Sequence, residues 1–174
     1  MGAVLAQNFV LRYSNLVLRL VLSRPGWRDR PHPKNVAVFP EIAQLIRQHG
    51  IVQGHERFVQ SKSYREIRRH SPDASNSRLN QFDHPRADET VVKLERIPND
   101  APRHTLLELS NIQLPTLVLA NRHDLIHPFD YGQIQALAIP GAELKEVTSK
   151  SVSCERHERE VQYYMRDFLK RRFL

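Results

Sequence analysis

Residues Leu114–Pro128 read "LPTLVLANRHDLIHP", and how this stretch is read decides the fold. Thr116–Ala120 forms an apolar, β-prone run with no polar alternation, the pattern of a strand covered on both faces, as in a parallel sheet. The run stops abruptly at Asn121, Arg122, His123 and Asp124. A buried strand therefore delivers an acid to the rim of a sheet. Asp124 has two readings there: a catalytic carboxylate, or a strand-ending turn residue that hydrogen-bonds its own backbone.

Working outward, "DYGQIQALA" (Asp130–Ala138) predicts a helix with Pro128 in its approach, and "AELKEVTS" (Ala142–Ser149) a second strand. An amphipathic helix over His157–Leu169 follows, with Val161, Tyr164, Met165 and Phe168 as its apolar stripe. Towards the N-terminus, Gly2–Tyr13 has helix-compatible apolar spacing at Val4, Leu5, Phe9 and Leu11. "NLVLRLVLS" (Asn15–Ser23) predicts a core strand that ends at "RPGW", where Pro25 stops it. Strands alternating with helices imply crossover connections and a parallel sheet.

The segment from Asp29 to about Pro102 differs in character. Prolines at 31, 33, 40, 72, 85, 98 and 102 punctuate stretches predicted to be helices: Ala37–His49, Gly54–His70, Ser75–Asp83 and Arg86–Ile97. No strand is predicted among them. "IPNDAPRH" (Ile97–His104) reads as the linker back to the main body, so residues 29–102 are expected to form a helical insertion between 1–28 and 103–174. Its apolar positions Val38, Phe39, Ile42, Leu45, Ile46 and Phe58 recur at helical spacing and read as its own core.

Composition bounds the functional classes. With 174 residues, one principal core is expected. The 26 Lys and Arg against 19 Asp and Glu give a net charge of +7, yet the positive charge is dispersed in short clusters such as "REIRRH" (Arg65–His70) and "KRRF" (Lys170–Phe173). No zinc-finger spacing, aromatic RNA-binding motif or basic zipper accompanies them, so a nucleic-acid partner is not expected. Cys154 is the single cysteine, which excludes an internal disulfide framework. The nine histidines form no HExxH motif, and although His123 and His127 lie four apart, Pro128 argues against the helix that would make them joint ligands. No metal or organic cofactor is implied. Arg12 and Arg19 interrupt the N-terminal apolar stretch well before the length of a membrane span, and no export signal is visible; a membrane-free, cytoplasmic chain is expected.

Taken together, these segments resemble the C-terminal half of the α/β-hydrolase fold, in particular members with an inserted helical cap. The carriers are "LPTLVLANRHDLIHP", "IPGAELKEV" (Ile139–Val147) and "SKSVSCERHEREVQYYMRDFL" (Ser149–Leu169), in the order acid, helix, strand, histidine, helix. The resemblance implies a partial α/β-hydrolase fold: about three parallel strands with flanking helices, plus the cap at 29–102. It also implies a Ser-His-Asp machinery in which serine attacks an acyl carbonyl, histidine carries the proton and the acid orients the imidazole. Carried onto this sequence, Asp124 takes the place of the acid and His157 that of the histidine. Trp27, after the first strand, has two readings, a wall of the substrate pocket or, preferred, an ordinary packing residue.

The nucleophile has no counterpart. "MGAVLAQNF" resembles the continuation of a G-x-S-M-G-A elbow, which would place the serine one residue before Met1 and make the backbone N–H at Met1 an oxyanion-hole position. Ser14, Ser23 and the serines of Ser149–Ser153 sit in no elbow and read as surface or turn residues. The expectation is thus a truncated hydrolase: ester or amide hydrolysis of a small-molecule substrate in a longer form, and an inactive chain as it stands. Two alternatives stay open, a non-catalytic interaction module derived from a hydrolase and, lower, a basic nucleic-acid-binding domain. An unpaired sheet edge where strands would be missing is expected to favour self-association.

Overall fold

The computed structural model describes residues 2–27, 34–100 and 105–171. The expected oxyanion position at Met1 lies outside the described residues, as does the 101–104 part of the expected linker. The chain divides into two compact units, Met1–Arg30 with Ala101–Leu174, and Pro31–Asp100.

The first unit is built on three parallel strands in the order β1-β2-β3: β1 Leu20–Ser23, β2 Thr116–Ala120 and β3 Glu143–Glu146. Leu20 pairs with Thr116 and Ser23 with Leu119; Leu117 pairs with Glu143 and Ala120 with Glu146. Helix α1 (Gly2–Arg12) precedes β1, α6 (Phe129–Ala138) crosses from β2 to β3, and α7 (Cys154–Lys170) follows β3. The central strand is buried at every residue, as the unbroken apolar run requires of a sheet covered on both sides.

Alternation along β2 then sorts its side chains between two layers. Val118 joins Leu20, Leu22, Val10, Leu109, Ile112 and Ile139 on one face, while Leu117 and Leu119 join Val147 and Phe168 on the other. The stripe of α7 supplies Val161, Tyr164 and Met165 around Phe168, as its spacing predicts. Gln7 of α1 donates from Nε2 to Gln135 Oε1 of α6, and Gln135 Nε2 donates to the Trp27 carbonyl at 2.6 Å. Both glutamine side chains are buried, so this chain satisfies polar groups that would otherwise be stranded in the core.

Two strands are shorter than the sequence predicts. The stretch Asn15–Arg19 is not strand: Ser14–Leu16 forms a 3-10 turn, and Leu16 and Leu18 are 69% and 83% exposed. The register explains why. Arg19 falls opposite Pro115, whose nitrogen carries no hydrogen to extend the ladder, so pairing starts at Leu20. At the other edge, β3 ends at Glu146 and only the Val147 N–H carries pairing further, to the Ala120 carbonyl at 2.9 Å. Helix α7 starts three residues before the predicted His157, because Ser153 caps it by accepting the Arg156 N–H at 3.2 Å.

The second unit contains α2 (Val38–Gln60), α3 (Lys62–His70), α4 (Pro72–Leu79) and α5 (Ala87–Arg96), with no strand among its described residues. Its core joins Ile42, Ala43, Ile46, Phe58, Tyr64, Phe82, Val91 and Leu94. The predicted gap between His49 and Gly54 is instead a kink at Gly50, whose φ of 72° is a conformation that costs glycine little. The real stop is Ser61, whose hydroxyl accepts the Tyr64 N–H at 3.0 Å and starts α3. Ser71 and Pro72 start α4 in the same way.

Candidate functional site

β1 and β2 run parallel, so the loops after Ser23 and Ala120 leave the same end of the sheet. Arg24 immediately follows β1. Its N–H continues the ladder by donating to the Leu119 carbonyl at 2.8 Å, and its φ of 51° is the one left-handed non-glycine backbone among the described residues. A side chain in that region costs on the order of 1–2 kcal/mol. Interactions of the guanidinium offset the cost, for the turn sends Arg24 across to the loop after β2, where Nε donates to Asp124 Oδ2 at 2.6 Å.

The two carboxylate oxygens of Asp124 have different surroundings. Oδ1 accepts the backbone N–H of Ile126 at 2.9 Å and of His127 at 3.0 Å, the local turn expected of an Asp after a strand. Oδ2 faces outward from that turn, to Arg24 and to His127 Nδ1 at 3.1 Å. Only 6% of the Asp124 side chain is exposed, against 28% for Arg24 and 20% for His127. Burial alone would push the Asp124 carboxyl up. The His127 hydrogen bond and charge, the Arg24 charge and the His127 backbone N–H outweigh it and hold the carboxyl well below the usual carboxylate range. Asp124 is thus a preformed, ionised acceptor at the sheet rim.

His157 occupies the first turn of α7 and is buried, not exposed as a first-turn histidine among glutamates would be. Its Nδ1 donates to the Thr148 carbonyl at 2.7 Å, and Thr148 N–H donates to Glu160 Oε2 at 2.6 Å. That backbone bond and the Arg156 side chain hold the Glu160 carboxyl low. The turn after β3 is therefore clamped to α7 from both sides. The β2 and β3 loops are neighbours, since Ser149 Oγ donates to the His123 carbonyl at 3.4 Å, but no hydrogen bond joins Asp124 to His157. The structure brings Asp124 together with Arg24 and His127 instead.

Neither Arg24 nor His127 follows from the reading of the sequence as site residues, although a signal is present. Each directly precedes a proline, Pro25 and Pro128, where the chain must turn out of regular structure. Gly26 completes the arrangement: a Cβ there would stand 3.1 Å from His127 Cδ2, so its absence lets the imidazole lie against the backbone. Trp27, one residue on, is buried, with its Nε1 lacking a hydrogen-bond partner; Asn121 Oδ1, directly after β2, is likewise buried and unpaired. No group of three or more His, Cys, Asp or Glu among the described residues has a metal-binding arrangement, and no helix among them is long and apolar enough to cross a membrane. A depression of about 300 Å³ bordered by Leu114, Thr116, Gly141, Glu143 and Phe168 lies at the N-terminal ends of β2 and β3, away from this rim. Ligands of open α/β sheets bind at the C-terminal strand ends, so the rim carrying Asp124 is the better site.

A parallel sheet covered by helices on both faces, with an ionised acid after its central strand, defines the class: a partial α/β-hydrolase fold. Solved structures agree over nearly the whole chain. The enol-lactonase from Burkholderia xenovorans superposes with a TM-score of 0.68 at 21% identity, over 98% of this chain and 63% of that one. A thermophilic esterase from Thermogutta terrifontis gives 0.64 at 18% identity, over 97% and 61%, and the acetyl esterase MekB 0.72 at 12%, over 98% and 60%. The sequence resemblance is borne out as a fold, and the chain spans about three-fifths of the length of these structures. No family model and no curated protein matches the sequence.

Proposed function

We propose that this chain is the acid-bearing portion of a serine-hydrolase-type enzyme that cleaves small-molecule esters or amides. The observation that carries the reading is the Asp124 carboxylate, held ionised at the C-terminal end of the central strand and already engaged to an imidazole. In such chemistry the acid fixes the ring so that its free nitrogen removes a proton from the nucleophile and later returns it to the leaving group. Trp27 Nε1 and Asn121 Oδ1, a buried donor and a buried acceptor near the same strand ends, are groups that a polar ligand would satisfy.

The nucleophile comes from outside the described residues. Among them, no serine, threonine or cysteine side chain is hydrogen-bonded to an imidazole, and the Ser149 and Ser151 hydroxyls bond each other at 2.9 Å. The unit Pro31–Asp100 is the inserted helical cap of such an enzyme, an assignment supported by its place in the chain between β1 and β2 and by its separate core. A specific observation favours a second reading, in which His157 is the catalytic imidazole: it lies in the first turn of α7, reached from β3 through a loop whose Ser149 bonds the loop of Asp124. That reading requires its ring to leave the Thr148 carbonyl.

The test compares hydrolysis of a short-chain p-nitrophenyl ester by the 174-residue chain with that by a longer polypeptide carrying a G-x-S-x-G segment ahead of residue 1. The longer form is expected to be active and to lose about 10²–10⁴-fold on Asp124→Ala, with the chain alone at background. A longer form that is inactive, or whose activity survives Asp124→Ala, overturns the proposal.

A further inference from the structure

We propose that the open side of β1 and the outer stripe of α1 form one interface for a second copy of this chain, joined by antiparallel pairing of the two β1 strands about a two-fold axis at Leu22. The sheet order β1-β2-β3 leaves two edges, and they are built differently. β3 carries charge at three of its four residues, with Glu143 held by Arg171 Nη1 at 2.5 Å and Glu146 by Arg122 Nε at 3.1 Å. Charged residues along an edge strand deter pairing with another chain. β1 reads "LVLS" and carries none. The Leu20 N–H donates to the Pro115 carbonyl at 3.0 Å and the Arg24 N–H to the Leu119 carbonyl at 2.8 Å, so the even-numbered residues of β1 face β2. In a parallel ladder the N–H and C=O of alternate residues point to opposite sides. Those of Val21 and Ser23 therefore point away from β2, where they meet no partner among the described residues.

The helix beside this edge presents a second apolar surface. Ala3, Ala6 and Val10 pack with Leu20 and Leu22, and Gln7 bonds Gln135 of α6, the helix that lies against Val118 and Ala120 of β2. At about 100° per residue, Leu5, Phe9 and Tyr13 stand roughly 120–160° around the helix axis from Gln7. The Tyr13 N–H still donates to the Phe9 carbonyl at 2.8 Å, so the turn carries this stripe to its end. The stripe thus faces past β1, away from α6; all three side chains are exposed, and the Phe9 and Tyr13 rings lie 5.2 Å apart. Two half-exposed aromatic rings and Leu5 offer on the order of 300 Å² of apolar surface. With the strand edge and exposed Leu16, the area approaches the roughly 600 Å² per partner of a weak, reversible dimer.

The surface is self-complementary, which makes a second copy its occupant. A two-fold axis normal to the sheet sets Val21 opposite Ser23 of the second copy, each giving and receiving a backbone bond, with Leu22 beside its own counterpart. The same axis keeps both α1 helices on one face of the joined sheet, so apolar stripe meets apolar stripe; a parallel pairing would put them on opposite faces. Arg19 and Arg24 flank the seam, but each is directed into its own subunit: Arg19 Nη2 donates to the Arg171 carbonyl at 2.6 Å and Arg24 Nε to Asp124. Pairing in this way uses both β1 edges and leaves only the charged β3 edges open, so the assembly closes at two copies. The inference stands apart from the hydrolase reading.

The test is sedimentation equilibrium of the 174-residue chain over a range of concentrations, with reductant present so that exposed Cys154 cannot link copies. A reversible equilibrium is expected between the 20.3 kDa chain and a species of twice that mass. Phe9→Glu brings like charges together across the axis, and Ser23→Pro removes an outward N–H and sets a ring where the second strand would lie. Each should weaken the dimer by about a hundredfold or more. Tyr163→Glu, at an exposed aromatic position on α7, should leave it unchanged. Amide exchange locates the contact: Val21 and Ser23 should be protected in the dimer and lose protection on dilution, while Leu144 and Glu146, outward-facing on β3, exchange freely throughout. If Ser23→Pro fails to fold, Phe9→Glu and dilution of the wild type carry the test. A monomer at every concentration, open-ended association, a dimer indifferent to Phe9→Glu, or unprotected Val21 and Ser23 amides in the dimer overturns the proposal.

Discussion

Gly132 in α6 offers the sharpest test of the packing that places the site. A Cβ built there would stand 2.8 Å from the Ala120 Cβ, 3.5 Å from Val118 Cγ1 and 3.8 Å from Pro25 Cγ. Carbon atoms in contact prefer about 3.5–4.0 Å, so Gly132→Ala forces α6 to retreat from β2 by roughly 0.7–1.2 Å. The helix cannot retreat freely, because Gln135 ties it to both Gln7 and the Trp27 carbonyl. Overpacking of this kind costs about 1–3 kcal/mol. Replacing a helical glycine returns about 1 kcal/mol of intrinsic propensity. Since the colliding Ala120 Cβ is fixed to a strand and has no rotamer to yield, the cost should sit high in its range, for a net loss of about 1–2 kcal/mol. The assay is urea unfolding followed by fluorescence of Trp27, the only tryptophan and a member of the same unit. Gly2→Ala, where a Cβ meets nothing within 4 Å, is the control and should hold or raise the midpoint. Adding Ala120→Gly removes the collision, so the double variant should recover about 1 kcal/mol relative to additivity. Gly132→Ala at or above wild-type stability, or strict additivity in the double variant, would refute the close approach of α6 to β2.

Two other predictions bear on the site and on the strand boundaries. The folded carboxyl of Asp124 is lowered below its unfolded value near 3.9, so the unfolded chain takes up its proton first as the pH falls. Its contribution to stability is therefore fully present above about pH 5 and is lost as the pH drops through the lowered folded value. Urea midpoints measured against pH should fall less steeply on the acid side in Asp124→Asn than in wild type; equal slopes would sink this account of the carboxylate. At the start of β1, Leu18→Ser should change stability by no more than about 0.5 kcal/mol, whereas Leu20→Ala should cost about 2–4 kcal/mol. Comparable losses at the two positions would mean the strand begins where the sequence places it, before Leu20.

The lengths of the elements show what a sequence reading misses. The ends of β1 and β3 depend on which residue of β2 lies opposite, and Pro115 closes the ladder at Arg19 only because the register puts it there. The starts of α3, α4 and α7 were legible in principle, since Ser61, Ser71 and Ser153 are capping residues, but polar first turns hide a cap from a reading based on apolar spacing.

What the sequence determined by itself is the local pattern: an unbroken apolar run at Thr116–Ala120, helical spacing around it, and an acid where the run ends. Those features dictate a covered parallel strand with Asp124 at its tip, because burial on both faces and period-two alternation leave little other choice. Only the tertiary structure decided what Asp124 meets. Arg24 lies 100 residues away and reaches it through a left-handed turn, which no periodicity encodes. That the His127 ring meets the Asp124 carboxylate while the His157 ring meets the Thr148 carbonyl is likewise a matter of the folded geometry. Spacing along a chain ranks neighbours by sequence, whereas hydrogen bonds are settled by distance and direction in the folded molecule.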